Sequence, residues 1–200
     1  MTLTRRGLLG AGLGTLIVSQ AHAQTSADDL RQLTHDPDQP VLGNPDGDVT
    51  LIEFYDYQCP FCRNSYPDIR RLVERDGNLR LVMKDWPIFG DLSVHALKVA
   101  LGAGNRYEAV HDAIMAVDGR QITEAQVDAA ARSVGVEPRA AHASFTRSEA
   151  RWDGLLQRNH DQARMLGLPG TPAFLIGIDL FPGVVPNAEL EKVIAQMRRG

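Results

Sequence analysis

Two cysteines separated by two residues place the tightest constraint on this chain. Cys59 and Cys62 are the only cysteines among its 200 residues, and they lie in the segment FYDYQCPFC. The residues before this motif, VTLIEFY (49–55), are β-branched and aromatic and predict a buried strand. Pro60 suits the first turn of a helix, and an apolar repeat continues from there to a stop at Gly77. The cysteine pair is therefore predicted at the junction of a strand and a helix N-terminus.

Three kinds of site use such a pair: a zinc knuckle, a structural disulfide and a redox centre. Zinc needs three or four ligands, whereas this chain has one C-x-x-C motif and no closely spaced histidine pair. A disulfide across two residues closes almost no loop and so stabilises little. At a helix N-terminus, in contrast, unpaired N–H groups favour a thiolate at Cys59, and Cys62 lies one turn on to resolve a mixed disulfide. The pattern favours the redox centre.

The rest of the chain predicts an α/β fold. LRLVM (79–83) reads as a second strand, and residues from about 90 to 167 carry helical apolar stripes. AFLIG (173–177) and LFPG (180–183) follow as two short strands, and a last helix begins near Asn187. The order is β-α-β, a block of helices, then β-β-α. Such an order predicts a parallel crossover, an antiparallel hairpin and therefore a mixed sheet.

The N-terminus has the pattern of a secretory signal peptide over residues 1–23. Arg5 and Arg6 precede an apolar run at 7–18 that is too short to span a bilayer, and a small-x-small site ends at Ala23. The segment also resembles a twin-arginine signal, with an ordinary Sec signal as the alternative. We expect cleavage after Ala23 and export to the periplasm, where disulfides persist.

The chain after the signal is expected to form one domain. Residues 24–48 are polar and turn-rich and are predicted to be an N-terminal arm, followed by the domain itself at 49–200. The formal net charge is −4, and no basic cluster suggests binding to nucleic acid. No motif for a metal or a cofactor is apparent, and we expect neither.

LIEFYDYQCPFC together with GTPAFLIG resembles the DsbA family of thioredoxin-fold thiol–disulfide oxidoreductases. The resemblance covers essentially the whole chain after the signal and implies a thioredoxin-like mixed sheet with an inserted all-helical subdomain. It implies that Cys59 is the nucleophile and Cys62 the resolving cysteine. It further implies a buried acidic residue, Glu53, and a cis-proline, Pro172, preceded by Thr171.

Two positions depart from the pattern of the strongly oxidising members. Phe61 stands where those proteins typically carry histidine, and Thr171 stands where DsbA itself has valine and the isomerase-type relatives DsbC and DsbG have threonine. We therefore expect a moderately oxidising dithiol oxidase. The alternatives are an isomerase or reductase of the same fold and a protein that captures copper with its two thiols.

The resemblance also implies the partners: unfolded or reduced exported polypeptides, and a membrane or soluble redox protein that regenerates the active state. A monomer is expected. We expect Cys59 to be the accessible thiol, and we regard Tyr55 and Tyr57 as candidates for a shallow peptide groove. The residues expected to contact substrate are Pro60, Phe61, Thr171 and Pro172.

Overall fold

The computed structural model describes residues 27–199, and the predicted signal peptide lies outside them. The helices are α1 (Ala27–Thr34), α2 (Pro60–Asp76), α3 (Asp91–Gly102), α4 (Tyr107–Met115), α5 (Glu124–Ser133), α6 (Pro138–Arg147), α7 (Glu149–Met165) and α8 (Asn187–Met197), with a short 3₁₀ helix at Gly104–Arg106. The strands are β1 (Val41–Gly43), β2 (Val49–Tyr55), β3 (Leu79–Asp85), β4 (Ala173–Ile176) and β5 (Asp179–Pro182). None of the helices described is long and apolar enough to cross a membrane.

The five strands form one mixed sheet in the order β1-β3-β2-β4-β5. Strands β2 and β3 are parallel and are connected by α2, whereas β1, β4 and β5 each pair antiparallel with their neighbours. The predicted thioredoxin-like fold with its parallel crossover and its terminal hairpin is confirmed. Glu53 lies in the central strand, opposite Met83 on β3 and Phe174 on β4.

Strand β2 is buried on both faces of the sheet. Because side chains alternate along a strand, Leu51 and Tyr55 face the core formed with α2, α8 and the inserted helices, and Ile52 and Phe54 face α1 and α7. A strand covered on both sides has no solvent-facing row, which explains its nearly unbroken apolar sequence. Glu53, on the same side as Leu51 and Tyr55, is the exception within this run.

Helices α3 to α7 form the helical insertion predicted from the apolar stripes. Helix α5 begins with a capping box in which Thr123 and Gln126 bond each other's backbone, as the sequence pattern indicates. Helix α7 leaves the helical block and packs on the opposite side of the sheet, where Ala163 is buried. There the Asn159 side chain donates to the carbonyl of Asp85 at 3.1 Å. The insertion therefore contacts both faces of the sheet.

The segment expected to be an N-terminal arm contains a helix and an edge strand. Strand β1 pairs with β3, with Val41 opposite Val82, so the sheet begins before residue 49. Arg158 on α7 donates to Asp36 at 2.6 Å and to Asp38 at 2.9 Å, which fastens the segment between α1 and β1. A strand of three residues is too short to show the alternation of apolar and polar residues in a sequence. Strand β1 is therefore determined by its pairing with β3.

Close packing between α3 and α6 predicts a steric requirement at Gly102. A Cβ atom there would lie 2.0 Å from the carbonyl oxygen of Ala141, a backbone atom that cannot rotate away. Gly102→Ala should therefore lower the free energy of unfolding by about 1–3 kcal/mol in urea denaturation. Gly154→Ala in α7 is the control, since its Cβ would meet only the end of the Arg158 side chain. Equal losses in both variants would contradict the packing argument.

Candidate active site

The two cysteines lie at the N-terminus of α2, as the sequence predicts. Cys59 is the N-cap residue in an extended conformation, and its Sγ accepts a hydrogen bond from the backbone N–H of Cys62 at 3.3 Å. Pro60 occupies the first helical position, where its missing N–H costs no intrahelical bond. A backbone bond from Cys59 N–H to the carbonyl of Asp56 at 3.0 Å fixes the turn that precedes the helix.

The segment before β4 faces this helix end. The bond between Thr171 and Pro172 is cis, in agreement with the resemblance. The Sγ of Cys59 lies 3.3 Å from the carbonyl oxygen of Thr171, to which it donates when it is protonated. Residues 112 positions apart in the chain are thus brought into direct contact at the reactive sulfur.

The two thiols have opposite acidities. The pKa of Cys59 is lowered to about 6, first by a hydrogen bond from the Cys62 thiol, then by the hydrogen bond with Thr171 and by the backbone N–H groups of Cys62 and Phe61, which together outweigh its burial. The pKa of Cys62 is raised well above that of an ordinary thiol, first by burial and then because it donates to Cys59. At neutral pH the reduced pair therefore holds a thiolate at Cys59 and a thiol at Cys62.

Both cysteines are buried, which corrects the expectation that Cys59 is openly accessible. Its relative exposure is 1 %, against 0 % for Cys62. The contact with Thr171 covers the Cys59 sulfur. Phe61, between the cysteines, is instead 63 % exposed. The nucleophilic position is therefore distinguished by its hydrogen bonds rather than by its exposure.

Glu53 is fully buried in β2, as predicted from its place in an apolar run. Neither carboxylate oxygen has a hydrogen-bond partner within residues 27–199. Burial, followed by the negative charge of Cys59, raises the pKa of Glu53 to about 8. The charge of Glu53 in turn contributes to the raised pKa of Cys62. This carboxyl group is therefore protonated at neutral pH and electrostatically coupled to both cysteines.

The segment 86–90 is held by the turn that precedes Cys59, and the sequence analysis did not assign it to the site. Asp56, itself buried, accepts from the backbone N–H groups of Ile88 at 2.7 Å and Phe89 at 3.1 Å, and from Gln58 at 2.7 Å. The side chains of Ile88 and Phe89 are exposed. A carboxylate three residues before Cys59 was the available signal, but two of its partners, Ile88 and Phe89, lie more than 30 residues away.

Tyr55 and Tyr57 do not form a groove, which corrects that expectation. Both are buried and point into the insertion, where Tyr57 bonds Nδ1 of His111 at 2.7 Å and Tyr55 bonds the hydroxyl of Tyr107 at 3.1 Å. Burial lowers the pKa of His111 to about 3, so its imidazole is neutral. The two tyrosines therefore join the strand and the active-site turn to α4.

Among the residues that the structure describes, the cysteines are not part of a metal-ligand cluster, and the cavity beside α1 does not include them. Within residues 27–199, no group of three or more His, Cys, Asp or Glu side chains is arranged to hold a metal ion. A cavity of about 830 Å³ lies beside α1 and the far end of the sheet, and no cysteine lines it.

A dithiol at a helix N-terminus, facing a cis-proline on a thioredoxin-like sheet, defines a redox site of the thioredoxin class. A sequence profile of the family described as Thioredoxin matches residues 35–196. The chain belongs to this family, and within it the structure is DsbA-like, as the sequence motifs implied.

Two solved structures illustrate this similarity. A thioredoxin-like oxidoreductase from Silicibacter pomeroyi is 37 % identical, with a TM-score of 0.79 over 85 % of this chain and 98 % of that one. The thiol-disulfide exchange protein alpha-DsbA2 from Wolbachia pipientis is 25 % identical, with a TM-score of 0.77 over 85 % of this chain and 92 % of that one. Both alignments span the sheet and the insertion.

A curated relative matches over a smaller share of its own length. The Na⁺/H⁺ antiporter NhaA 1 of Salinispora arenicola is 26 % identical over 148 residues, which cover 70 % of this chain and 22 % of that protein. This chain spans about a fifth of the length of the curated relatives it matches. Similarity over so small a part does not transfer the activity of the whole relative.

The buried carboxyl group predicts a pH-dependent stability. The pKa of Glu53 is about 8 in the folded protein, against 4.5 for an ordinary glutamate. Between these values the folded state holds a proton that the unfolded state has lost, so stability falls as pH rises. Glu53→Gln removes this loss. The free energy of unfolding of the variant should exceed that of the natural protein by almost nothing at pH 4.5 and by a few kcal/mol at pH 8.

Urea unfolding of the reduced proteins at several pH values measures this difference. The exposed Glu149 supplies the matched control, since Glu149→Gln should follow the pH dependence of the natural protein. A constant difference between Glu53→Gln and the natural protein across this range would show that Glu53 ionises normally.

Proposed function

We propose that this protein is an extracytoplasmic thiol–disulfide oxidoreductase that forms disulfides in exported polypeptides. The observation that carries the proposal is the opposed acidity of the pair, with the pKa of Cys59 lowered and that of Cys62 raised. A thiolate that is stabilised in the reduced enzyme makes the disulfide form a better oxidant. The signal-like N-terminus supports export to the periplasm, where such an oxidant has substrates.

The reaction begins with a disulfide between Cys59 and Cys62. A substrate thiolate attacks Sγ of Cys59, which forms a mixed disulfide and releases Cys62. A second substrate thiolate then attacks the substrate sulfur of that bond, which forms the substrate disulfide and releases Cys59 as a thiolate. Two electrons pass from the substrate to the enzyme, and a separate redox protein must remove them before the next cycle.

Glu53 gives a proton to the buried Cys62 and takes it back during the reaction cycle. Cys62 leaves as a thiolate in an apolar setting, where the charged form is costly. A carboxyl group with a pKa of about 8 is protonated at neutral pH and is proposed to supply the proton that this sulfur takes up. During reoxidation the same group accepts the proton that Cys62 must lose.

The surface around the cysteines suits an unfolded polypeptide. Three exposed apolar side chains, Phe61, Ile88 and Phe89, project from α2 and from the segment held by Asp56. Unfolded chains expose apolar residues that folded proteins bury, so such a surface favours them as substrates. An incoming chain displaces the contact between Cys59 and Thr171 and lies along the Thr171 backbone and Pro172, with Pro60 at its edge.

An isomerase is the second candidate, and Thr171 favours it, because threonine before the cis-proline resembles the isomerase-type relatives. Isomerisation requires the reduced form to persist in an oxidising compartment. The lowered pKa of Cys59 stabilises the reduced enzyme relative to its disulfide form. The disulfide form is then a good oxidant of substrates, which supports the oxidase.

Substitution of each cysteine tests the assigned roles. Cys59→Ser should reduce disulfide exchange to the uncatalysed rate, because the sulfur that forms the mixed disulfide is gone. Cys62→Ser should instead accumulate a mixed disulfide at Cys59, visible by non-reducing electrophoresis and mass spectrometry. Accumulation of adducts at Cys62 in the Cys59→Ser variant, with none at Cys59 in the other, would reverse the assignment.

The direction of exchange is measured by two assays on one preparation. The oxidised protein should reoxidise a reduced substrate protein stoichiometrically without added thiol, and it should repair a scrambled substrate only weakly in a glutathione buffer. Efficient repair with negligible net oxidation would establish the isomerase instead. Inactivity in both assays would overturn the proposed function.

A further inference from the structure

Arg63 carries a buried positive charge beside the cysteines. It lies on α2 four residues after Cys59, and its backbone N–H donates to the Cys59 carbonyl at 3.2 Å. The residue is only 4 % exposed. Sequence inspection passed over it because arginine on a helix is usually a solvent-facing residue.

Three backbone carbonyls hold the guanidinium group. Nε donates to Val117 at 3.1 Å, and the two terminal nitrogens donate to Tyr57 and Gly119. Tyr57 belongs to the active-site turn, whereas Val117 and Gly119 lie between α4 and α5. The planar fork of arginine therefore joins the insertion to the turn that carries Cys59, an arrangement that lysine cannot reproduce fully.

No carboxylate within residues 27–199 forms a salt bridge with this guanidinium group. Backbone carbonyls satisfy its hydrogen bonds but carry no net charge, so a buried cation still favours a nearby anion. Burial lowers the pKa of Arg63, and the negative charges of Cys59, Cys62, Asp56 and Asp118, in that order, oppose this shift.

We propose that Arg63 is a positioning residue that stabilises the Cys59 thiolate with its buried charge, in the absence of a polar side chain at position 61. The inference rests on the proposed function and adds to it the source of oxidising power. In a site with Phe61 between the cysteines, the N–H groups at the helix end supply hydrogen bonds, and Arg63 supplies the full positive charge.

The balance of the reaction explains why this charge matters. A substrate dithiol and the enzyme disulfide give a substrate disulfide, the Cys59 thiolate, the Cys62 thiol and one proton. The oxidised enzyme has no anion at Cys59, whereas the reduced enzyme has one. A fixed cation therefore stabilises the reduced form selectively and raises the oxidising power of the disulfide.

Three further ionisable groups act on the cysteines or on Arg63: Glu53, Asp56 and Asp118. Glu53 on β2 is neutral at pH 7, since its pKa is about 8. Asp56 before Cys59 is bonded by backbone N–H groups, and Asp118 lies in the same segment as the carbonyls that hold Arg63. Arg63 is the cation of this set.

The test compares Arg63→Gln, Arg63→Met and Arg63→Lys. Gln removes the charge but retains hydrogen-bond donors, Met removes both, and Lys retains the charge. Thiolate absorbance of the reduced proteins gives the pKa of Cys59, and equilibration with glutathione gives the redox equilibrium constant. Arg71→Gln is the control, because Arg71 lies on the same helix, exposed and paired with Asp68. Thermal unfolding of every variant checks that it is folded.

We expect the thiolate absorbance of Cys59 to titrate with a midpoint near pH 6 in the natural protein and in the Arg71 variant. Arg63→Gln and Arg63→Met should raise the pKa of Cys59 by about one unit and weaken oxidation about tenfold, or about 30 mV. Arg63→Lys should retain most of the natural acidity. A midpoint unchanged in the Gln variant, or raised equally by Gln and Lys, would overturn the role of the charge.

These measurements separate the inference from the proposed function. Both readouts concern the cysteine pair itself and require no substrate protein. A natural protein that catalyses exchange while its Arg63→Gln variant retains the natural pKa and redox equilibrium contradicts only the role of Arg63. A natural protein that fails to catalyse exchange contradicts the function, whatever its variants do. Should Gln and Met both unfold, the Lys variant remains decisive, since a large rise in its midpoint would refute stabilisation by charge.

Discussion

The hydrogen bonds from the start of α2 to the sulfur of Cys59 are the interaction on which this site depends. They require that the helix begin directly after the central strand and that its first turn be held rigidly. Strand β2, buried on both faces, supplies the base, and the bond from Cys59 to Asp56 fixes the turn between strand and helix. The opposed acidity of the two thiols follows from this placement, because Cys62 lies one turn on, beneath the donor groups.

Ionisable side chains are divided between the two faces of the sheet. Glu53 faces the cysteines, whereas Arg80 and Lys84 on β3 point toward α1 and α7. Burial lowers the pKa of Lys84 to about 8 while the pKa of Glu53 is raised to about 8. Neither group forms an ion pair across the sheet in the described part of the chain. Burial of Glu53 without a partner costs stability, and the proposed proton exchange with Cys62 would account for keeping it there.

Two buried charges connect distant segments to the active-site turn. Asp56 holds residues 88 and 89 through their N–H groups, and Arg63 holds residues 117 and 119 through their carbonyls. The carboxylate thereby fixes the apolar surface beside the cysteines, and the guanidinium group fixes the insertion. The helical insertion is therefore joined to the active-site turn, because the guanidinium group of Arg63 binds carbonyls of both.

Local patterns were sufficient to predict the elements that carry the cysteines. The apolar run at 49–55, the proline after Cys59 and the glycine at 77 each act through the backbone of a few neighbouring residues, and the structure follows all three. Glu53 could be predicted as buried for the same reason, since its neighbours on both sides are apolar. The parallel crossover and the antiparallel hairpin also followed, because short connections restrict how successive elements pair.

The sequence alone thus determined the fold class, the position of the reactive pair and the burial of one carboxyl group. Only the tertiary structure decided that Cys59 is covered by Thr171 and that Tyr55 and Tyr57 point inward. It decided as well that Phe89, an apolar residue that could have been in the core, is exposed. It also decided the pairing of β1 and the contacts of Arg63. These outcomes depend on groups far apart in the chain, whose contacts arise from packing of the whole molecule rather than from periodicity within one element.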